Sequence, residues 1–259
     1  TMRGALPDLE RRIHSTPYAD LQTQSESTLL ASIDRHNLLM RETAYYNVLG
    51  PLLMGMYNNV LKSRLAKVGV DFTSFNLTEG MQEIADFDPV TFLRRLNTDF
   101  RALTPDQQKT IRKSSYAELH HNQSLGDFPK KVSTIIERFG HLSDNGNDFS
   151  ASPWREKPDM ILNLVSEFEP VKEEGQKVSL ADLRSQGQVN YPLKLFYKRA
   201  RQFRLFRERI SSLYTYGYGL FRYYYLALGA HFTQRGIIDT PEDIFYLTNE
   251  QVHALVDRT

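Results

Sequence analysis

Apolar residues recur at helical spacing along most of the chain. Between residues 27 and 49 they predict one helix, on the positions Leu29, Leu30, Ile33, Leu38 or Leu39, Met40 and Tyr45. Pro51 suits the first turn of a second helix that would run to about Val68, where Gly69 would end it. The first 68 residues therefore predict two successive helices separated just before Pro51.

The middle of the chain carries several helix-start signals. A short helix is expected over residues 76–84, and Asp88 followed by proline is a strong N-cap for a helix with Phe92 and Leu96 on one side. Thr104, also followed by proline, predicts a helix that reaches about His121. Asp127, two residues before a proline, predicts a further helix that ends at residues 139–140.

Helical spacing is lost between residues 141 and 158 and returns after Pro158. Residues 169–190 look like an exposed connection with one short helix near residues 180–183, because the segment is rich in breakers and charge: Pro170, Glu173, Glu174, Gly175 and Gly187. From Leu193 to about Gln234 the pattern predicts one long helix or a kinked pair. Helix starts follow at Thr240 and Thr248.

No βαβ alternation appears, and few runs are β-branched. The chain therefore predicts an all-α, multi-helix domain over residues 1–259, with a long C-terminal helical hairpin. Gly217 and Gly219 mark either a bend or a close helix contact within it.

Composition excludes few functions. Lys plus Arg is 32 and Asp plus Glu is 31, so any binding of nucleic acid or a membrane surface would need a local charged patch. The absence of cysteine excludes a disulfide framework, a zinc ribbon and a thiol nucleophile. No apolar run approaches the roughly 18 residues of a membrane span. We expect a cytoplasmic protein without membrane contact.

Common catalytic signatures are missing. The chain holds no glycine-rich nucleotide loop, no H-E-x-x-H metal motif and no G-x-S-x-G nucleophile elbow. The adjacent His120 and His121 would diverge on a helix by about 100°. No metal site is expected.

A basic stretch covers residues 198–209, with six cations and one anion. Its helical spacing would bury one row of side chains, namely Leu195, Phe196, Arg199, Phe203, Phe206 and Ile210. The cations would then form a solvated face whose stems cover apolar surface. Attraction of a phosphate-bearing partner, or of RNA, is the alternative.

An aromatic run follows, with seven aromatic residues in the twelve positions from Tyr214 to Tyr225. Such a helix is expected to be largely buried. Some of its rings could instead wall a pocket for a flat or apolar ligand.

Residues 138–158 form the most informative segment, RFGHLSDNGNDFSASPWREKP. The lone Trp154 could anchor this loop, which would then present His141, Asp144 and Asp148 to a ligand. A purely structural omega-type loop is the equal alternative.

This segment resembles the stretch Y-G-H-R-x-x-G-E-x-D-x-x-x-P-R-W-x-E-x-P of phosphoenolpyruvate-synthase-like enzymes, which include the rifampicin phosphotransferases. Residues 75–80 with 84–89 are similar to the upstream helical region of that family. Residues 235–248, RGIIDTPEDIFYLT, resemble the signature that precedes its mobile phosphohistidine domain. The matches keep the family order. They depart from it at Leu142, where arginine is usual, and at Asn147, where glutamate is usual.

The resemblance implies the central helical domain of an ATP-dependent phosphotransferase, excised from between an ATP-grasp domain and a swivelling phosphohistidine domain. Such a piece would not be catalytic alone. It would bind no cofactor itself, while ATP and Mg²⁺ would serve the complete enzyme. Its partners would be a small-molecule acceptor and the two flanking domains.

On this reading His141 is a possible proton acceptor. The expected acceptor contacts are His141, Asp144, Asn147, Asp148, Trp154, Arg155 and Tyr218. The arginines expected to dock the phosphorylated domain are Arg199, Arg201, Arg204 and Arg207. A stand-alone helical interaction module and an RNA-binding helical domain remain the alternative functions, with nucleic acid the less expected partner.

Overall fold

The computed structural model describes residues 2–119, 121–168 and 177–257. Within these ranges the secondary structure is helical, apart from one isolated β-bridge, which confirms the all-α prediction. The α-helices are α1 Met2–His14, α2 Glu26–Ala66, α3 Gln82–Ala85, α4 Pro89–Ala102, α5 Pro105–Lys113, α6 Tyr116–Leu119, α7 Phe128–Phe139, α8 Asp159–Glu167, α9 Leu180–Ser185, α10 Tyr191–Gln234 and α11 Asn249–Val256. Short 3₁₀ helices are Leu21–Thr23, Phe72–Ser74, Gln123–Leu125, Trp154–Glu156 and Pro241–Tyr246.

Some sequence predictions concern residues beyond those ranges. The predictions for five residues lie outside the described residues: His120, Pro170, Glu173, Glu174 and Gly175. Helix α1 is an element that the sequence pattern did not predict, although its buried face is regular: Leu6, Leu9 and Ile13.

The predicted break before Pro51 is wrong, because α2 continues through this residue for 41 residues in all. A proline inside a helix costs about 3 kcal/mol through its lost hydrogen bond and ring clash. Packing next to it outweighs that cost. A Cβ on Gly50 would lie 3.1 Å from Phe206, and Leu61 and Leu65 are fully buried further along the helix.

The proline-linked helix starts are confirmed. Asp88 accepts a hydrogen bond from the backbone N–H of Val90, 3.0 Å away, and Thr104 forms a reciprocal capping box with Gln107. The predicted extension of that second helix to His121 is wrong. The chain leaves the helix at Ser114 (ψ 145°) and begins a separate turn, α6, after it.

The helix predicted over residues 76–84 is shorter in the structure, where only α3 (Gln82–Ala85) is helical. Its first half is held by partners elsewhere in the chain instead of by helical hydrogen bonds. The backbone N–H of Asn76 donates to Val178 O at 2.7 Å, and Arg201 donates to the carbonyl oxygens of Leu77 and Glu79. These long-range contacts are absent from the local sequence pattern.

The described residues group into two compact units. The first comprises residues 2–45, 136–158 and 213–257, and the second comprises residues 46–119, 121–135, 159–168 and 177–212. The single-domain assignment over residues 1–259 stays a prediction. The core of the second unit includes Leu61, Leu65, Leu183 and Leu193, all nearly inaccessible.

The first unit contains the candidate site. Its core joins α1, the N-terminal part of α2 and the C-terminal part of α10, which is one continuous helix of 44 residues. Gly217 confirms the close-contact interpretation, since a Cβ there would lie 2.5 Å from the Met40 sulfur and 3.3 Å from Ile13. Helix α10 ends before Gly236, whose φ of 68° suits glycine.

None of the helices among the described residues combines the length and the apolar character that a bilayer crossing requires.

Candidate functional site

The loop over residues 141–158 is closed at its base by two backbone hydrogen bonds. The N–H of Trp154 donates to Leu142 O at 2.8 Å, and the N–H of Arg155 donates to Gly140 O at 2.9 Å. This approach requires a glycine at position 140, because a Cβ there would lie 2.9 Å from the Cβ of Arg155 and 2.2 Å from Ile136 O. The two ends of the loop are thereby locked together.

Inside the loop, Trp154 is the buried anchor that the sequence predicts, and the acidic side chains make hydrogen bonds within the loop itself. Trp154 is 9% exposed, and its indole N–H lies 3.4 Å from Asp144 Oδ1. Asp148 accepts hydrogen bonds from the backbone N–H (2.9 Å) and the hydroxyl (2.6 Å) of Ser150. These hydrogen bonds lower the pKa of Asp148 below its usual value. Both carboxylates therefore stabilise turns of the loop.

Arg222 on α10 connects the loop to this helix through an ion pair and hydrogen bonds. Its side chain is 6% exposed, and its Nε and Nη2 atoms donate to the two carboxylate oxygens of Glu156, each at 2.8 Å. Nη1 donates to the carbonyl oxygen of Ser150 at 2.7 Å, and the guanidinium lies 5.5 Å from the ring centroid of Phe245. One buried cation thus joins two parts of the loop to the helix.

Phe149 inserts an aromatic ring from the loop into the aromatic run of α10. It stacks on Tyr225 at 5.4 Å between centroids and an interplanar angle of 6°. It also packs against Tyr218 (5.7 Å), Phe221 (5.6 Å) and Phe245 (5.9 Å). Phe221 is buried and the other rings are half-buried, so they pack against one another within the first unit, which supports the structural interpretation of the aromatic run.

His141 lies at the start of the loop, edge-on to Tyr216 with ring centroids 5.3 Å apart. Burial is the main cause that lowers its pKa to about 4, and the electrostatic effects of Arg155 and His14 contribute to the same shift. The imidazole is therefore neutral near pH 7. Its Nε2 atom is buried and has no hydrogen-bond partner among the described residues.

A small pocket lies beside this imidazole. Its volume is about 20 Å³, and its walls include His141, Asn147, Asp148, Phe149, Gly219 and Arg222. A volume of this size holds about one water molecule. In this arrangement the loop shields the imidazole and leaves no room for a larger molecule.

Three of the predicted acceptor contacts, His141, Asn147 and Asp148, line this pocket together. Asp144, Trp154 and Arg155 instead close the loop, and Tyr218 belongs to the aromatic cluster around Phe149. The acceptor-contact assignments stay predictions.

Sequence reasoning missed Phe149, Gly219 and Arg222 as parts of the site. The available signal for Arg222 was its position as the single cation within the aromatic run from Tyr214 to Tyr225. A lone charge among rings must find a partner if the helix is buried.

The predicted docking arginines lie in the second unit, and most of them have partners within the chain. Arg201 donates to Glu79 O at 2.6 Å. Arg204 and Arg207 both contact the carboxylate of Glu208, at 3.1 and 2.8 Å. Arg199 is exposed and donates to the side chain of Gln202 at 3.1 Å.

The predicted buried row of this helix is partly corrected. Phe206 and Ile210 are buried, and Phe196 and Phe203 are half-buried, whereas Arg199 and Leu195 are exposed. The row fails at its N-terminal end because the second-unit core lies against Leu193 and Ala200 there.

The chemistry of the described side chains offers no obvious metal site. No group of three or more His, Asp or Glu residues that could hold a metal ion occurs within residues 2–119, 121–168 and 177–257.

Comparison of the sequence with protein-family models and with curated proteins gave no match. The resemblance of residues 138–158 and 235–248 to phosphoenolpyruvate-synthase-like enzymes therefore stays a prediction.

Proposed function

We propose that this chain is the acceptor-shielding helical domain of an ATP-dependent phosphotransferase of the phosphoenolpyruvate-synthase-like type. The observation that carries the proposal is the environment of His141. A neutral imidazole with an unpaired, buried Nε2 atom lies in the same loop that carries the family resemblance. A buried polar atom without a partner calls for a functional explanation.

The pocket next to His141 suits a reaction that must exclude water. A phosphoryl group is readily lost to water, and a closed site prevents this side reaction. The loop is fixed over the pocket by Arg222 and by the ring of Phe149. Entry of an acceptor would require the loop to open and then close again.

The proposed step is transfer of a phosphoryl group from a phosphohistidine of a partner domain to a hydroxyl of the acceptor. The hydroxyl oxygen forms the new O–P bond, the N–P bond of the phosphohistidine breaks, and the hydroxyl proton passes to Nε2 of His141. With a pKa of about 4, this imidazole is a weak base in the absence of ligand. An incoming phosphoryl anion would raise its pKa, so proton uptake would be linked to arrival of the donor.

Docking of the partner domain would rest chiefly on Arg199, since Arg201, Arg204 and Arg207 are engaged within the chain. The same engagement weakens the RNA-binding alternative, which needs cations free to contact phosphates. ATP and Mg²⁺ would act on another domain of the complete enzyme.

The test uses the complete natural polypeptide that contains this chain, incubated with radiolabelled ATP and a small-molecule extract. Labelled products are separated and quantified for the parent, for His141→Gln and for the control His121→Gln, which changes an exposed imidazole of the second unit. Loss of general base catalysis should lower product formation about 100-fold or more in His141→Gln. The control should keep the parent rate.

Equal rates for the parent and His141→Gln would remove His141 from the reaction. Failure of the parent to label any product would reject the phosphotransferase proposal itself.

A further inference from the structure

A second cavity lies in the first unit, away from the loop over residues 141–158. It has a volume of about 380 Å³, within the range of small-ligand sites. It is formed by the end of α1, the segment after it and one face of α2. Its polar walls include Arg12, Ser15, Thr16, Ser32, Arg35 and His36.

Each hydroxyl group that lines this cavity already donates its hydrogen bond to a backbone carbonyl oxygen. Ser15 and Thr16 donate to Arg12 O, at 3.0 and 3.1 Å, and Ser32 donates to Thr28 O at 2.9 Å. The hydroxyl of Tyr224, which also lines the cavity, donates to Pro17 O. A hydroxyl has one proton and two lone pairs, so these groups can offer a ligand only acceptors.

His36 also lines the cavity, and its ring carries a further acceptor. Its side chain is almost completely buried, at 3% exposure, and Nε2 lies 2.7 Å from the carbonyl oxygen of Gly217. Because a carbonyl only accepts, Nε2 carries the proton and Nδ1 of the neutral ring presents a lone pair. Nδ1 is buried and has no hydrogen-bond partner among the described residues. It is the second buried imidazole nitrogen in the unit that lacks a partner.

Two arginines supply positive charge to the cavity wall, and only one of them already forms ion pairs within the chain. Arg12 is neutralised by Glu42 at 2.8 Å and by Asp8 at 3.3 Å. Arg35 has no ion pair or hydrogen bond with the residues that the structure describes. Its guanidinium can therefore receive a carboxylate in the bidentate geometry that this group favours.

We propose that this cavity binds a small carboxylate that also carries a hydroxyl or ammonium group, that is, a hydroxy acid or an amino acid. The carboxylate pairs with Arg35. The hydroxyl or ammonium group donates to Nδ1 of His36 and to the hydroxyl oxygens of Ser15, Thr16 or Ser32. A ligand with an anionic group but no donor leaves the buried acceptor of His36 unpaired, and a ligand with donors but no charge leaves Arg35 without a partner.

The test compares three dicarboxylates that differ at one position: succinate carries hydrogen there, malate a hydroxyl and aspartate an ammonium. Each is titrated into the purified chain, and the ring ¹⁵N resonances of the histidines are followed by NMR. We expect malate or aspartate to shift Nδ1 of His36 and to bind at least about tenfold more tightly than succinate, the usual effect of one hydrogen bond to a buried partner. The resonances of His141 should stay unchanged, which separates this site from the proposed phosphotransfer site.

Arg35→Gln should weaken binding about tenfold, since it removes the charge that holds the carboxylate. Arg41→Gln is the matched control, because Arg41 is an exposed arginine of the same helix outside the cavity wall. Ser32→Ala should weaken malate binding and leave succinate unaffected. Absence of any His36 shift with malate and aspartate up to about 10 mM would overturn the proposal, as would equal binding of succinate or an unchanged affinity in Arg35→Gln.

Discussion

The ion pair between Arg222 and Glu156 gives the sharpest prediction about the loop over residues 141–158. Its two partners differ in burial, with the Arg222 side chain 6% exposed and the Glu156 side chain 32% exposed. The loss of stability should therefore depend on which of the two partners is removed. The more buried charge is the more costly one to leave without a partner.

Glu156→Leu strands the cation of Arg222, although Ser150 O still accepts one of its hydrogen bonds. Loss of one partner from a buried pair costs about 3–5 kcal/mol, and the partial exposure of Glu156 places the expected loss at about 3 kcal/mol. Arg222→Met leaves a carboxylate that water can reach, so only the charged hydrogen bonds are lost, at about 2 kcal/mol. In the double variant no charge is stranded, and the loss should fall back to about 2 kcal/mol, well short of the sum.

The assay is unfolding by urea, followed by far-ultraviolet circular dichroism and by the fluorescence of Trp154, which lies inside the loop. Lys130→Met is the control, because it breaks an ion pair with Asp127 in which both side chains are mostly exposed, and it should change the free energy of unfolding by less than about 1 kcal/mol. Two results would refute the proposed role of the Arg222–Glu156 ion pair. One is a double variant whose loss in free energy of unfolding equals the sum of the single losses, and the other is a larger loss for Arg222→Met than for Glu156→Leu.

Two further predictions concern stability. The lowered pKa of His141, about 4 against 6.5, means that the unfolded chain binds a proton more readily, so stability should fall as the pH drops from 6.5 to 4, by up to about 3 kcal/mol. His141→Gln should flatten the pH dependence of the urea midpoint in this window, and an unchanged slope would contradict the burial of the ring. Gly140→Ala should cost about 2 kcal/mol, because the new Cβ meets Ile136 O, whereas Gly55→Ala, which meets nothing within 4 Å, should stabilise the helix by about 0.5–1 kcal/mol. Thermal unfolding of Gly140→Ala and Gly55→Ala measures both effects, and equal changes in the melting temperature of the two variants would contradict the prediction.

Local signals in the sequence predicted much of this fold. Asp88 and Thr104 are N-caps because a polar side chain before a proline satisfies the first helical N–H groups, a rule that depends on a few neighbouring residues. The loop over residues 141–158 was predicted from its turn residues and its lone Trp154, and the structure confirms both the loop and the buried anchor.

What the sequence did not predict depends on contacts between distant residues. Pro51 stays within a helix because of packing around Gly50, which no local rule contains. Arg222 clamps Glu156, 66 residues before it, and Arg201 serves carbonyl groups more than 120 residues away. In each case a tertiary partner decides the role of a residue whose local pattern suggested something else.

The Arg222–Glu156 ion pair should keep the loop closed over a neutral His141 whose Nε2 atom is buried. The direct measurement is an NMR titration of the His141 ring in the parent and in Arg222→Met. We expect a pKa of about 4 for the parent, rising toward the ordinary 6.5 in the variant as the loop opens and water reaches the ring. A parent pKa near 6.5, or the same low pKa in both proteins, would contradict it.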